Sequence, residues 1–539
     1  MTRDDATQPD ADRPDHEPSA DDSSSPAVTP PVGVTDGAAV AGNAPEADAL
    51  PVAADALPVA AGDRFAAIRA GGVVAPSLED PVARAASHVA GGPAGRHLAS
   101  AQKLLRAASV LVLLAASMMG LAVVEQQHCR HMGWDTPDAF WHACYSDIPI
   151  TFMNGLREAP EPSLTQAVAD GKIDQPPLAA AAMWTVAHLT PTGGDDAANV
   201  RRYFDASALA LTIALTIGVA ALAMSGPTAS GRRPWDAAHL ALSPVLVTST
   251  LISYQLLAAS LLAVALALFS RRQWVLAGVV LGLATAAHPV AFVVAIAAIA
   301  YSVASRRWVP TALLVAAASV TVMVVRILIL PGNDGGLKQA WLDWKAGEVQ
   351  FGSAWLIPSL LHDAKPNAGG IWKKFDAVSV THASQLSIAV ALFGVAAMVA
   401  LALSLKHRPT LGQLALLGVG FFLLSSKNLA PQTTIILLPL IGAAGLKWRD
   451  HLIWATTEIV YWLMVWMYIG AQSDSAKGLP ASFYVIFLTL RLAGIAWLMV
   501  SAVKRARIDS PASREPDPVP APREPEPLLP APVVEPVAV

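Results

Sequence analysis

Leu104–Val124 reads LLRAASVLVLLAASMMGLAVV, and shortly after it Trp134–Pro149 reads WDTPDAFWHACYSDIP. The first stretch is an apolar run of about the 20 residues that a bilayer crossing needs. Lys103 and Arg106 stand at its start, and the bias of basic residues towards the cytoplasmic side puts that end inside. The second stretch therefore emerges at the outer membrane surface. It carries Asp135, Asp138, Asp147, His142, two tryptophans and Cys144, in a chain otherwise dominated by Ala, Leu and Val. Acids and aromatics at a membrane surface suit a sugar substrate and general-base chemistry. A capping loop whose acids are simply solvated fits the composition equally well.

The wider composition agrees with a membrane setting. Of 539 residues, 54% are hydrophobic and only 14% charged, less charge than a soluble domain carries. The net charge of -4 comes without a basic cluster, so nucleic acid is not an expected partner. Both cysteines, Cys129 and Cys144, fall in the same outer loop. Outside the cytoplasm such a pair tends to oxidise, which predicts a disulfide over two free thiols. The CxxC spacing of thiolate metal sites is absent. No phosphate-binding glycine loop, HExxH, nucleophile elbow or EF-hand loop occurs. No cofactor is expected, and no metal is indicated.

The fold class expected is all-α: a polytopic bundle of about 12 spans between two disordered tails. Residues 1–98 are rich in Ala, Pro, Asp and Ser and contain the near-repeat ALPVAADALPVAAGD. They lack the apolar content to offset the entropy of ordering, and they show no signal-peptide pattern. The membrane domain covers 99–508, with outer loops at 125–202 and 331–383, and the Pro- and Glu-rich tail is 509–539. Spans are expected near 205–224, 236–252, 255–270, 274–288, 289–304, 310–330, 386–404, 411–426, 431–446, 451–470 and 481–503, after the first. Arg232/Arg233, Arg271/Arg272, Arg306/Arg307, Lys406/Arg408, Lys447/Arg449 and Lys504/Arg505/Arg507 then all return to the inner side, with both termini cytoplasmic. Pro176–Leu189 is too short for a comfortable crossing and reads as an interfacial helix with its prolines at the start. The second outer loop carries Trp341, Trp344, Trp355, Trp372, Lys373 and Lys374, which reads as an interfacial belt or as a headgroup contact.

Ionisable groups within apolar surroundings are costly and are functional suspects by default. His288 stands between two short helices, and Lys427 with Asn428 closes the outer end of a span before Pro431. Both positions are expected at the depth of the first loop. Arg326 near the end of its span can snorkel. Glu458 and Arg491, in the last two spans, are expected to pair structurally towards the inner half, away from the loop. Gly278 to Gly282, GVVLG, reads as close helix packing.

Several stretches resemble one family. HACYSDIP (142–149) with Cys129, GRRPWDAAHLALSP (231–244), AGVVLGLATAAHP (277–289), QFGSAW (350–355), SKNLAPQ (426–432) and KWRDHLIWATTEIVYW (447–462) are similar to actinobacterial polyprenyl-phosphate-mannose-dependent mannosyltransferases. These form family 87 of the GT-C glycosyltransferases, and the similarity runs from about Lys103 to Ala506. The resemblance implies a carboxylate base in the first outer loop, which falls on Asp147, and IDQPPL (173–178) nominates Asp174 as a second catalytic carboxylate. It implies donor-phosphate contacts from His288, where relatives usually carry Lys, and from Lys427 and Gln432. The chain departs from relatives at Ala430 and Thr433, and it has Ser253-Tyr254-Gln255 where they often show Asn-Trp-Asp.

The function that follows is an inverting hexosyltransferase in the plasma membrane. It would move a hexose, mannose by resemblance, from a polyprenyl-phosphate donor to an envelope glycolipid or glycan on the outer face. Membrane lipids, the lipid-linked donor and the acceptor are the expected partners. Such a displacement needs one base and groups that stabilise the leaving phosphate, without an enzyme nucleophile. Two other classes compete. One is a catalytically silent GT-C relative acting as an envelope scaffold or binding protein, which Gln255 favours. The other is a lipid transporter or flippase, which would favour acids and broken helices at the bilayer midplane.

Overall fold

A computed structural model describes residues 101–156, 163–225, 234–306, 308–329, 336–364, 377–405 and 409–508. The tails expected at 1–98 and 509–539 lie outside the described residues, as do Arg232, Arg233, Trp372, Lys373 and Lys374. Among the described residues the chain is all-helical, without strands. In chain order the apolar helices are α1 (Ala101–Glu125), α2 (Pro177–Leu189), α3 (Asp196–Ala223), α4 (Gln255–Ser270), α5 (Trp274–Ala287), α6 (Phe292–Ser305), α7 (Trp308–Ile329), α8 (Val380–Ser404), α9 (Leu411–Ser425), α10 (Leu437–Ala444), α11 (Trp448–Gly470) and α12 (Ala481–Ile508). Six of them, α1, α3, α7, α8, α11 and α12, are long and apolar enough to cross a membrane. The other six are shorter: even the 16 residues of α4 rise only about 24 Å, less than the ~30 Å hydrocarbon core.

Large apolar side chains point outward from the long helices, among them Leu113, Leu121, Ile213, Val320, Leu328 and Leu392. A soluble protein does not display so much apolar surface; in lipid it costs nothing. This is a membrane protein. Between helices, small residues permit close approach where water cannot drive association. The GVVLG segment of α5 packs on α7 as its spacing predicts: a Cβ at Gly278 would stand 2.8 Å from Ala317 Cβ, and one at Gly282 2.6 Å from the Ala318 carbonyl oxygen.

The span expected at 236–252 is not a continuous helix. It breaks into a 3-10 turn, Pro234–Ala237, and two short helices, Ala238–Ala241 and Val245–Ser249. Pro244 stands at the second break and has no N–H to continue a ladder. The broken backbone is buried within the protein, where hydroxyl groups satisfy it. Thr250 Oγ1 donates to the Leu246 carbonyl at 2.6 Å, and Ser146 Oγ donates to that of Leu251 at 2.6 Å. The expected loop at 331–383 likewise contains two helices, Gly336–Ala346 and Ile357–Ala364.

Candidate functional site

The stretch 142–149 is fixed from both sides. Cys129 and Cys144 are joined by a disulfide, Cα to Cα 5.8 Å, and both are fully buried. On the far side, the Asp147 N–H donates to the Ile252 carbonyl at 2.8 Å. Ser146 also accepts from the Ile148 N–H at 3.3 Å and so caps the short helix Asp147–Thr151. The buried break around 250–254 is therefore what seats the loop.

Asp147 opens on a cavity of about 280 Å³. Its walls come from four of the stretches that carry the family resemblance. Phe140 and Tyr145 come from the first loop and its approach, and Gln350, Phe351 and Gly352 from QFGSAW. Asn428, Ala430, Pro431 and Gln432 come from SKNLAPQ, and Tyr461, Val465 and Trp466 from α11. Hydrogen bonds staple QFGSAW to SKNLAPQ: the Gln350 N–H donates to the Lys427 carbonyl at 2.8 Å, and Ser353 Oγ to that of Ser426 at 2.8 Å. Phe140, Tyr145 and Trp466 stack on one another, with centroids 5.0–5.9 Å apart. Such faces, with amide groups among them, are suited to a sugar ring's C–H faces and hydroxyls.

The electrostatics favour a base. Burial, a hydrogen bond from Tyr145 that acts the other way, and the like charge of Asp174 together push the Asp147 carboxyl up to about 6. Asp174 itself is exposed, yet it lies near enough to be felt at Asp147. Gln432 Nε2 donates to Asp147 Oδ2 at 3.4 Å, while Gln432 Oε1 is buried with no hydrogen-bond partner among the described residues. An orphaned buried acceptor costs free energy, and a ligand hydroxyl would satisfy it.

Two expected phosphate ligands sit differently. Lys427 is 3% exposed and does not line the cavity. Its Nζ donates to the Trp344 carbonyl, to those of Gly347 at 2.7 Å and Lys345 at 3.2 Å, and to Ser384 Oγ at 3.1 Å. It lies 4.8 Å over the Trp344 ring, and burial pulls its pKa below the usual lysine range. Its three protons are shared among these four acceptors, three at the end of helix 336–346 and one on α8, so this ammonium is a clamp. His288 is also absent from the cavity lining. It ends α5, and its Nδ1 accepts from the Val290 N–H at 3.3 Å, capping the turn that starts α6.

The Glu458–Arg491 pair is structural, as expected, but it is not remote from the site. Arg491 Nε donates to Glu458 at 2.9 Å, and its other nitrogens donate to the carbonyls of Leu429 at 2.5 Å and Ala430 at 3.0 Å. Its guanidinium lies 4.1 Å over the Tyr461 ring. The pair thus holds the turn that forms one wall of the cavity. Of the aromatic lining, Phe140 and Tyr145 fall in the acid- and aromatic-rich stretch 134–149, whereas Trp466 lies on α11, where an aromatic reads equally as core.

The chain matches no protein-family model and no curated protein.

Proposed function

We propose that the protein is a membrane glycosyltransferase whose reaction centre is the cavity at Asp147. In this reading the chain crosses the plasma membrane about twelve times with cytoplasmic termini, and the cavity faces outward. The acceptor hydroxyl gives its proton to Asp147 as its oxygen forms a bond to the anomeric carbon of the donor hexose. The bond to the polyprenyl phosphate breaks on the opposite face, and the phosphate leaves with the electron pair. A carboxyl near pH 6 is mostly ionised at neutral pH and still basic enough to share a proton in the transition state. Gln432, Gln350 and Asn428 offer amide partners to sugar hydroxyls, and the stacked rings offer apolar faces. Among the described residues no Lys, Arg or His lines the cavity, which suits the neutral sugar portion.

The observation that carries this reading is a raised carboxylate beside an orphaned amide in an aromatic-walled cavity. Mannose as the sugar, and an envelope glycolipid or glycan as acceptor, follow from the resemblance alone. The test is to incubate membranes containing the protein with radiolabelled polyprenyl-phosphate-mannose and cell-envelope lipid acceptors. A labelled product that depends on the protein supports the proposal, and none over a range of acceptors overturns it.

One observation favours a second reading, a binding or scaffold protein descended from such enzymes. Ser253 and Tyr254, where relatives often carry Asn and Trp, are buried. Gln255 stands in the place of the acid, with its Oε1 buried and without a hydrogen-bond partner among the described residues. That reading predicts sugar-lipid binding without turnover.

A further inference from the structure

His128, Asp138 and His142 meet on the first outer loop beside its disulfide. His128 lies on the helix Gln127–Met132 and adjoins Cys129; Asp138 begins the helical turn Asp138–Trp141, and His142 ends it two residues before Cys144. The covalent bond therefore ties together the two segments that bear these side chains. His128 Nε2 is 2.9 Å from Asp138 Oδ2, and His142 Nδ1 is 3.2 Å from Asp138 Oδ1. One ligand atom from each of the three falls within 4.8 Å of the others.

A simple ion pair needs one imidazole. Here a second is stacked on the first, ring centroids 3.5 Å apart and planes 16° from parallel. Two imidazolium rings so placed repel each other, whereas one cation shared between two neutral rings and a carboxylate does not. Ligand atoms at zinc bonding distance in a tetrahedral shell stand about 3.3 Å apart; His142 Nδ1 is 3.2 Å from Asp138 Oδ1 and 3.1 Å from the Asp138 carbonyl oxygen, and His128 approaches the other carboxylate oxygen. The side chains are 35–47% exposed, so the rings can turn about χ2 to aim both lone pairs at one point, and water can complete the shell. Two nitrogens and one carboxylate select a borderline transition ion over Ca²⁺ or Mg²⁺, which require several oxygens.

We propose that His128, Asp138 and His142 bind one divalent transition-metal ion, with zinc as the reference case, clamping the outer loop next to its disulfide. The site is separate from the Asp147 cavity and does not depend on the glycosyltransferase reading.

The experiment uses the full-length protein in detergent, with its affinity tag removed, stripped with EDTA and titrated with ZnCl₂ by calorimetry. One zinc per chain is expected, and CaCl₂ should give no heat. Asp138→Asn and His128→Ala should each raise Kd by about a hundredfold, at least the cost of losing an outer-shell partner. His131→Ala should leave it unchanged, because that residue lines a separate hollow with Arg130 and Trp134. His142→Gln, on a side chain 45% exposed, decides the matter should another variant fail to fold. No zinc bound by the parent, or equal affinity in the parent and the folded ligand variants, overturns the proposal.

Discussion

Glu458 and Asp147 both act on the turn at Leu429–Gln432, and their surroundings treat them in opposite ways. Glu458 accepts from Arg491 at 2.9 Å, Thr434 at 3.0 Å and Trp454 at 3.2 Å, and Arg491 spends its remaining donors on backbone carbonyls. Asp147 has Tyr145 and one long contact to Gln432, whose own carbonyl oxygen is unmatched. A buried ionic group with every partner in place shapes the protein. One left partly satisfied beside a cavity is shaped for something that arrives.

The sharpest way to break this contrast is to remove the satisfied side. Arg491→Ala leaves Glu458 buried and unpaired, which should cost about 3–5 kcal/mol and appear as a large fall in thermal stability in detergent. A variant as stable as the parent would remove Arg491 from its structural role. Lys427→Met orphans the carbonyls that its ammonium binds and should cost about 1–3 kcal/mol, with turnover of the folded fraction unchanged. Lowered turnover at unchanged stability would return Lys427 to the donor phosphate. Gln432→Leu should lower transfer by about tenfold, the worth of one hydrogen bond to a sugar hydroxyl, while leaving stability near that of the parent. His288→Ala should have the smallest effect, within about 0.5–2 kcal/mol for a lost cap and without a selective loss of turnover. A selective loss would place the imidazole at the reaction after all.

These outcomes bear on what the sequence made legible. The helical class and the prominence of 134–149 followed from composition and charge alone, because lipid imposes simple length and polarity rules. Apolar content hid the break at 236–252: the run is hydrophobic enough to cross, and only Pro234, Pro244 and the buried hydroxyls reveal that it does not continue. A lysine at a span's end looks the same in sequence whether its protons meet a phosphate or, as at Lys427, three carbonyls and a hydroxyl. The distance between Glu458 and the loop was misjudged since positions along separate helices say nothing of how a re-entering turn brings them together. The approach of His128 to Asp138 and His142 is not legible from spacing, because the Cys129–Cys144 disulfide brings the two segments together.

Asp147 as the base is tested most directly by a pH–rate profile of the parent beside Asp147→Asn. With the carboxyl at about 6, it must be ionised to accept a proton, so kcat/KM for the parent should fall about tenfold per pH unit below that point and level off above it. Asp147→Asn keeps size and hydrogen bonding but loses the basic oxygen. It should fold and insert, with transfer lower by about a hundredfold or more and the acid limb gone. Transfer equal to the parent with the same acid limb, in folded and inserted Asp147→Asn protein, would contradict the account.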